Sequence, residues 1–330
     1  MKICVVGPGA IGAIVVAALD GVAGVTLSTL ARGAHLTAIQ AGGLRVLGPD
    51  GGPDGGERRI AVAASDNPAA LGAQDAVVLC LKAHQAWAAA ESLAPLLGPE
   101  TAVVTCQNGA PWWWFHRLAG PFEGRRLTSV DPGDRQWAAI GPERAIGCAI
   151  FAAGEVIGPG AVRHGSGRRF ILGEPSGEAT QRLARLAEVF TAGGLDAPMA
   201  EDIRSEIWFK LWGNVSFNPI SALTGQTLDK IAADPGTRGV ARAMMLEAQA
   251  VAERLGARFP MGVDERLEIT KRVGAHRTSM LQDLEAGRPL ELDALVGVVQ
   301  EMGRIADAPT PVIDTVLALT RSLASARGLL

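Results

Sequence analysis

Residues 2–12 read K-I-C-V-V-G-P-G-A-I-G, and residues 13–30 continue A-I-V-V-A-A-L-D-G-V-A-G-V-T-L-S-T-L. The β-branched run before the glycines predicts a strand, the small apolar run after them predicts a helix, and the last six residues predict a second strand. In this order, Gly7 permits a tight turn, Gly9 lets a ligand approach the backbone, and Gly12 lets the helix lie close to the strand. The pattern predicts a βαβ unit that binds a dinucleotide at the helix N-terminus. The residues expected around its pyrophosphate are Gly7, Pro8, Gly9, Ala10, Ile11 and Gly12.

The residue that follows the second strand bears on the choice of dinucleotide. An NAD site usually carries an Asp or Glu about 20 residues past the glycines, where it holds the ribose 2′-hydroxyl. This chain has Arg32 near that point and no acidic residue between Asp20 and Asp50. Because an arginine suits a 2′-phosphate, we expect NADP(H) rather than NAD(H). Two alternatives stay open here: a glycine-rich turn that binds no nucleotide, and an Arg32 that is only a solvated loop charge.

The composition indicates a folded protein long enough for two domains. Of 330 residues, 48% are hydrophobic and 20% are charged, which favours a sizeable core over global disorder. A net charge of −3 gives no basic field for nucleic acid or for an anionic membrane. The N-terminal apolar run is too short for a signal peptide and no run is long enough to span a membrane, so we expect a cytoplasmic protein. The five His and four Cys lack metal-ligand spacing, so no metal site is expected.

The order of the predicted elements indicates two domains of different character. Strand and helix patterns alternate over the first part of the chain, as in a Rossmann-type, doubly wound sheet. Strand patterns stop near residue 200 and long helical patterns follow. We therefore expect an α/β dinucleotide-binding domain over residues 1–200 and an all-α domain over residues 201–330. The helical surface is compatible with a homodimer, although the sequence does not fix the oligomeric state.

Glycine and other turn residues divide two stretches of the first domain. Residues 44–47 and 58–64 predict the strands of a hairpin, with a long mobile tip formed by the turn residues between them. Residues 160–164 and 169–172 predict two further strands, separated by a turn at Gly165-Ser166-Gly167-Arg168.

Polar residues follow two predicted strands of this domain. Lys82 comes directly after the apolar run 75–81, and Gln107-Asn108-Gly109 comes directly after the run 101–106. In doubly wound sheets, ligands bind beyond the carboxyl ends of the strands. We therefore expect Lys82 and Asn108 to face the cofactor cleft. The alternatives are a surface lysine at a helix start and a plain Asn-Gly turn.

Three consecutive tryptophans, Trp112, Trp113 and Trp114, follow the Asn-Gly turn. Rings at consecutive positions point to several sides of the backbone. Two interpretations stay open: the rings belong to the core, or they form a lid or wall of the substrate pocket.

The helical half begins with a polar stripe in apolar surroundings. Lys210, Asn214 and Asn218 stand at i, i+4 and i+8, so they share one face of a helix. Ile207, Leu211 and Val215 lie on the other side and should pack inward, and Pro219 should end or kink the helix. A lysine among aromatic residues must be paired or have a shifted pKa. The alternative is a solvated polar face.

A second cluster runs from His276 to Asp283 and is followed by Glu291. Thr278 or Ser279 can cap the next helix, and Glu291 can belong to the first turn of the helix after it. On these residues alone, capping and ligand binding are equally good interpretations.

Together these motifs resemble the ketopantoate reductase (2-dehydropantoate 2-reductase) family over nearly the whole chain. The resemblance rests on G-P-G-A-I-G with Arg32, on L-K-A at Lys82 and on Q-N-G at Asn108. It continues with K-L-W-G-N-V-S-F-N-P-I at residues 210–220 and with T-S-M-L-Q-D at residues 278–283, followed by Glu291.

The resemblance implies a fold, a reaction and a set of roles. The fold is a Rossmann-type domain followed by an all-α domain like the C-terminal domain of 6-phosphogluconate dehydrogenase. The reaction is NADPH-dependent reduction of a 2-keto acid, with ketopantoate the leading substrate and Lys210 the general acid. Asn214, Asn218 and Ser279 would hold the keto acid. The remaining implied residues are Lys82 at the cofactor, Asn108 at the cleft, where it would contact both the cofactor and the substrate, and Glu291 near Lys210, where it would contribute to cofactor or substrate binding.

The departures from the family pattern concern the substrate. The tryptophan run and the extra tip at residues 48–56 are not typical of the best-known pantoate-making members. Three alternatives therefore stand beside ketopantoate reduction: a reductase for a bulkier 2-keto acid, a non-catalytic NADP(H)-binding sensor or regulator, and another dehydrogenase of the same superfamily.

Overall fold

The computed structural model describes residues 1–48 and 56–330. The hairpin tip predicted from residue 48 to residue 56 lies, apart from its two ends, outside the described residues. The chain divides into two compact units. The sheet unit comprises Met1–Gln107, Pro111–Leu118 and Gly133–Ile203. The helical unit comprises Asn108–Ala110, Ala119–Pro132 and Arg204–Leu330.

The described part of the sheet unit contains one nine-stranded sheet. Its strands are β1 (Lys2–Val6), β2 (Thr26–Leu30), β3 (Leu44–Leu47), β4 (Glu57–Ile60), β5 (Ala63–Ser65), β6 (Gln74–Leu79), β7 (Leu97–Thr105), β8 (Ala145–Gly158) and β9 (Ala161–Gly173). Their order is β4-β3-β9-β8-β7-β6-β1-β2-β5. The pairs β3–β4 and β8–β9 are antiparallel and the other pairs are parallel. The predicted fold class is confirmed, with a sheet that is mixed rather than wholly parallel.

The helices of the sheet unit connect these strands. They are α1 (Ala10–Leu19), α2 (Gly33–Gly42), α3 (Pro68–Leu71), α4 (Ala83–Ala89), α5 (Arg135–Ala139) and α6 (Gln181–Ala192). Both α1 and β1 are almost wholly buried, because α1 lies against the central strands rather than at the surface. Because the side chains of α1 are apolar, their burial stabilises the folded state of the sheet unit.

The close contact between α1 and the glycine turn depends on Gly12. A Cβ atom at Gly12 would lie 2.2 Å from the carbonyl oxygen of Gly7 and 3.2 Å from the Cβ of Cys80. No side chain fits there without a shift of the backbone. Gly12 therefore sets the distance between α1 and the end of β1, as the sequence motif predicts.

Two predictions for the strands are wrong in detail. The two predicted strands are one strand, β9 (Ala161–Gly173), whose register with β8 shifts near Gly165, so the expected turn is an irregularity within a long hairpin. Residues 58–64 are two strands: β4 pairs with β3 at one edge of the sheet, whereas β5 pairs with β2 at the other edge. Local patterns report turn residues and alternation, but not which edge a short strand joins.

The helical unit is built on α7 (Ile203–Thr224). The helices that follow are α8 (Leu228–Ala233), α9 (Pro235–Arg254), α10 (Val263–Arg272), α11 (Ser279–Glu285), α12 (Val298–Ile305) and α13 (Pro311–Ala326). A π-helical turn, Asp293–Gly297, precedes α12. Pro219 does not end α7, which continues to Thr224. Since proline has no N–H, the carbonyl of Val215 loses one intrahelical hydrogen bond there.

We predict that Gly12→Ala destabilises the sheet unit. The added methyl group would meet the Gly7 carbonyl oxygen at 2.2 Å, and overpacking of this kind costs about 1–3 kcal/mol. Thermal unfolding should show a fall in Tm of roughly 2–12 °C.

The matched control is Gly9→Ala in the same turn. A Cβ at Gly9 would meet no atom within 4 Å, and Gly9 has a φ of −75° that any residue adopts. This variant should lose much less thermal stability than Gly12→Ala. An equal loss in both variants would show that the close contact at Gly12 is not the cause.

Candidate active site

The glycine turn of the sheet unit leaves the N-terminus of α1 open. Gly7 has a φ of +83°, and a side chain there would collide with Leu81. Gly9 is the N-cap of α1, has no side-chain cap, and leaves open space where a Cβ would stand. The first turn of α1 carries no acidic residue. The N–H groups and the positive dipole end of α1 are therefore suited to a phosphate.

Two residues of α2 stand next to this turn. Arg32 is exposed and is the N-cap of α2, directly beyond β2. His35 Nδ1 accepts a hydrogen bond from the Gly160 N–H at 3.0 Å. Its Nε2 must then carry the proton, which it donates to the Pro8 carbonyl at 2.8 Å. His35 was not predicted from the sequence, and it holds the start of α2, and hence Arg32, beside the glycine turn.

Lys82 lies beyond the carboxyl ends of the parallel strands, as the glycine turn does. The Cys80 N–H donates to the Val6 carbonyl at 2.9 Å, which aligns the ends of β6 and β1. Lys82 follows as the N-cap of α4. Gln107 Nε2 donates to the Leu81 carbonyl at 2.8 Å and ties the end of β7 to the same place. The predicted placement of Lys82 beyond a strand end agrees with this geometry.

The three tryptophans lie in the core of the sheet unit. Trp112, Trp113 and Trp114 have at most 2% of their surface exposed. Trp113 Nε1 donates to the Thr105 hydroxyl at 3.0 Å, and the Trp112 ring makes an edge contact with Trp137. Buried rings with these partners do not form a solvent-facing wall, so core packing is the interpretation that the structure supports.

The stripe on α7 is present as expected in the helical unit. Lys210 Nζ donates a hydrogen bond to Asn108 Oδ1 at 2.8 Å. Asn214 is half-buried, and Asn218 is only 5% exposed. Neither amide makes a side-chain hydrogen bond to any other described residue. A buried amide without protein partners is costly unless a ligand or water satisfies it.

The opposite side of α7 holds the stripe in place. Ile207, Leu211 and Val215 are buried, as their spacing predicts. Trp212 Nε1 donates to the Met245 carbonyl at 2.7 Å, and its ring centroid lies 4.5 Å from that of Phe259. This packing prevents rotation of the helix and fixes the direction in which Lys210 points.

Asn108 belongs to the helical unit, although it follows a strand of the sheet unit. Gly109 has a φ of +92°, and a Cβ there would lie 2.1 Å from the Ala294 carbonyl oxygen. The Asn-Gly pair is therefore seated against the π-helical turn Asp293–Gly297. Turns of this type occur often at functional sites. The sequence did not predict this grouping.

Ser279 and Glu291 lie on other elements of the same unit. Thr278, rather than Ser279, caps α11, because its hydroxyl accepts from the Leu281 N–H at 3.2 Å. Ser279 is exposed and its hydroxyl bonds to no other described residue. Glu291 is half-buried and its carbonyl accepts from the Leu295 N–H at 3.2 Å, in the π-helical turn that Gly109 contacts.

The predicted site residues fall into two groups. The sheet unit contains the glycine turn, Arg32 and Lys82, whereas the helical unit contains the α7 stripe, Ser279 and two residues expected at the cofactor, Asn108 and Glu291. One further residue of the helical unit was missed: Arg266, whose guanidinium lies over Phe209. It belongs to no motif, so only its side-chain contacts with α7 reveal it.

A Rossmann-like sheet with a glycine-rich turn after its first strand, followed by a helical unit with a lysine among amides, is typical of NAD(P)-dependent oxidoreductases. The model of the family "Ketopantoate reductase PanE/ApbA" matches residues 3–177, and that of "Ketopantoate reductase PanE/ApbA C terminal" matches residues 202–324. The chain therefore belongs to the ketopantoate reductase family.

Individual relatives agree with this assignment. The chain is 59% identical over 328 residues to a 2-dehydropantoate 2-reductase of Mesorhizobium japonicum, covering 99% of each chain. It is 30% identical to a 2-dehydropantoate 2-reductase of Halobacterium salinarum, covering 97% of this chain and 98% of that one. A solved structure of a candidate ketopantoate reductase from Ralstonia solanacearum superposes with a TM-score of 0.93 at 44% identity, covering 100% of this chain and 99% of that chain.

The described part of the chain contains no candidate membrane-spanning helix. None of its helices combines the length and the apolar character that a bilayer span requires.

Glu301 on α12 holds the segment Ala119–Pro132 within the helical unit. Its carboxylate accepts from the Thr128 N–H at 2.8 Å, from the Ser129 N–H at 2.9 Å and from both hydroxyls. Burial acts to raise the pKa of Glu301, but these four hydrogen bonds outweigh it and lower the pKa.

We predict that this network is lost in acid. A carboxylate whose pKa is lowered by folding stabilises the folded state above the unfolded pKa of about 4.3, and that stability disappears as the pH falls through the folded value. In Glu301→Gln, Tm should be lower at pH 7, and the fall in Tm on acidification below about pH 4.3 should be smaller than in the wild type. Glu188→Gln, at an exposed position on α6, should leave the pH profile unchanged. Parallel profiles for Glu301→Gln and the wild type would contradict the assignment.

Proposed function

We propose that the protein reduces 2-dehydropantoate (ketopantoate) to pantoate with NADPH, the reductive step toward pantothenate and coenzyme A. The names of its 59% identical relative and of its 30% identical relative support this substrate. One observation carries the catalytic part of the proposal: the Lys210 ammonium is held by Asn108 on a helix face whose two other amides make no bond to the described protein.

Lys210 acts as the general acid. NADPH, when bound, supplies the hydride that forms the new C–H bond at C2 of the keto acid. The electron pair of the carbonyl moves onto the oxygen, which takes a proton from Lys210 Nζ, and the neutral lysine regains a proton from water. A nearby ammonium both stabilises the developing negative charge and donates the proton. The hydrogen bond to Asn108 orients one of the three N–H groups of the ammonium.

The substrate belongs with residues 201–330. Asn214, Asn218 and Ser279 have polar groups that no described residue uses, and they suit the hydroxyl and carboxylate oxygens of a 2-keto acid. Glu291, next to the π-helical turn beside Asn108, contributes to binding near Lys210. Holding the reacting carbonyl in one orientation lowers the entropic part of the barrier.

The cofactor belongs with residues 1–200. The helix N-terminus at Gly9 fits a pyrophosphate, and Lys82 lies at the same sheet edge. Arg32 stands where an NAD site would carry an acid, and a guanidinium suits the 2′-phosphate of NADPH.

The other hypotheses have less support. A bulkier keto acid was suggested by an aromatic wall, but the three tryptophans are buried in the sheet unit. A non-catalytic NADP(H) sensor needs the glycine turn, but it does not need a lysine held by an amide. Another dehydrogenase of the superfamily would be separated from a ketopantoate reductase by a substrate panel assayed in both directions.

We predict that Lys210→Ala abolishes most of the ketopantoate-dependent oxidation of NADPH, followed at 340 nm. Removal of a general acid lowers kcat about 10²–10⁴-fold. NADPH binding, measured by fluorescence titration, should remain. Lys271→Ala, at an exposed lysine of the same unit, should keep wild-type kcat. A wild-type protein that binds NADPH but does not reduce ketopantoate would overturn the substrate assignment, and an active Lys210→Ala would overturn the proton donor.

We further predict that Arg32→Ala changes the preference between cofactors. Loss of a charge-assisted contact of about 1.5–3 kcal/mol should raise KM for NADPH about 10- to 150-fold, whereas KM for NADH should change little. The control is Arg185→Ala, at an exposed arginine on α6. An unchanged ratio of kcat/KM for NADPH over NADH would show that Arg32 does not contact the 2′-phosphate.

A further inference from the structure

Arg266 reaches from α10 onto the face of α7 that carries Lys210. Its guanidinium carbon lies 4.8 Å from the centroid of the Phe209 ring. One of its terminal nitrogens lies 3.4 Å from the point where a Cβ of Gly213 would stand. Phe209 precedes Lys210 and Gly213 precedes Asn214. The guanidinium therefore flanks the polar stripe at the level of its first two residues.

This face is the accessible side of α7. Most of the other residues of the helix are buried, whereas those on this face are half-buried: Glu206, Phe209, Lys210, Gly213 and Asn214. Gly213 lies between Lys210 and Arg266 on the helix surface and has no side chain, so the space above it is free of α7 atoms. A small anion over Gly213 would reach Arg266 on one side and the stripe on the other.

Arg266 has no counter-ion among the described residues. Its Nε is buried without a hydrogen-bond partner. None of the three acids on α10 pairs with it: Asp264 pairs with Arg242 at 2.7 Å, Glu268 pairs with Arg238 at 3.0 Å, and Glu265 forms no ion pair with Arg266. Glu206 shares the accessible face of α7, but it forms no ion pair with Arg266. Burial lowers the pKa of Arg266. A desolvated cation of this kind is costly unless an anion binds it.

We propose that the Arg266 guanidinium binds the carboxylate of the 2-keto acid and thereby selects for charged substrates. This assignment rests on the proposed function. Asn214, Asn218 and Ser279 are neutral, and the Lys210 ammonium is needed at the keto oxygen. Arg266 adds the positive charge that neutral groups cannot provide. A carboxylate offers enough lone pairs to accept from a guanidinium and from the amide or hydroxyl donors at once.

Phe209 and Gly213 prepare the guanidinium for this role. The ring of Phe209 stacks below it and restricts its plane, and the missing side chain at Gly213 keeps its inner edge accessible. A purely structural arginine would not need a buried Nε without a hydrogen-bond partner.

The test compares Arg266→Met with Arg266→Lys in the full-length protein. Arg266→Met keeps the length and the apolar contact with Phe209 but removes the charge. We expect KM for ketopantoate to rise at least tenfold with a much smaller change in kcat, and partial recovery of KM in Arg266→Lys. Pantoate binding by calorimetry should weaken at least tenfold in Arg266→Met. Arg272→Met, at an exposed position of the same helix, is the matched control.

Gly213→Ala provides a second, independent variant. Alanine is a better helix former than glycine, so this variant should be at least as thermally stable as the wild type. Its methyl group would occupy the space beside the guanidinium, and we expect KM for ketopantoate to rise. Loss of activity without loss of stability would exclude a folding defect as the cause.

The outcomes separate the two proposals. If the wild type binds pantoate but does not reduce ketopantoate, the proposed function fails and the binding comparison still tests Arg266. If the wild type is active and both KM and the pantoate Kd are unchanged in Arg266→Met, the role of Arg266 is overturned alone. A fall in kcat with unchanged KM, or equal effects of Arg266→Met and Arg272→Met, would also overturn it. A wild type that binds no pantoate overturns both proposals.

Discussion

The mechanism that we propose depends on one interaction, the hydrogen bond from the Lys210 ammonium to the Asn108 amide oxygen. A primary amine on a flexible side chain has many rotamers, and holding it in one of them costs conformational entropy. The 2.8 Å hydrogen bond to the amide orders the Lys210 side chain before a ligand binds, so less entropy is lost on binding. An amide is neutral, so it orients the ammonium without neutralising its charge. In the proposed mechanism, a carboxylate in the same place would compete with the substrate oxygen for the ammonium.

That arrangement requires α7 to be packed on one side only. Its buried side is anchored by aliphatic residues and by Trp212, which stacks on Phe259 and donates to a backbone carbonyl. The remaining side carries Lys210 and Asn214, with Gly213 between them and Arg266. The packing that supplies rigidity and the polar groups that we propose as ligand contacts therefore lie on opposite sides of the helix.

Much of this could be predicted from local sequence. The glycine turn, Arg32 and the spacing of Lys210, Asn214 and Asn218 are short-range patterns, and the structure places each of them on the element that its pattern predicts. The errors came from long-range pairing. Nothing near residues 58–64 indicates that β4 and β5 join opposite edges of the sheet. Nothing near Asn108 indicates that it leaves the strand pattern for the helical unit. The Arg266 side chain approaches Gly213 from more than fifty residues further along the chain.

The helical unit is not a continuous piece of the chain, because Asn108–Ala110 and Ala119–Pro132 belong to it as well as Arg204–Leu330. A single continuous gene segment therefore does not encode the whole helical unit. A gene segment beginning at Arg204 would encode Lys210 without the amide that orients it and Glu301 without the hydroxyls that it binds. Recombination between relatives at this boundary would join a helical half to another protein's Asn-Gly turn. The two halves are therefore expected to be handed down together, and variation at the turn and at the π-helical segment should be correlated across the lineage.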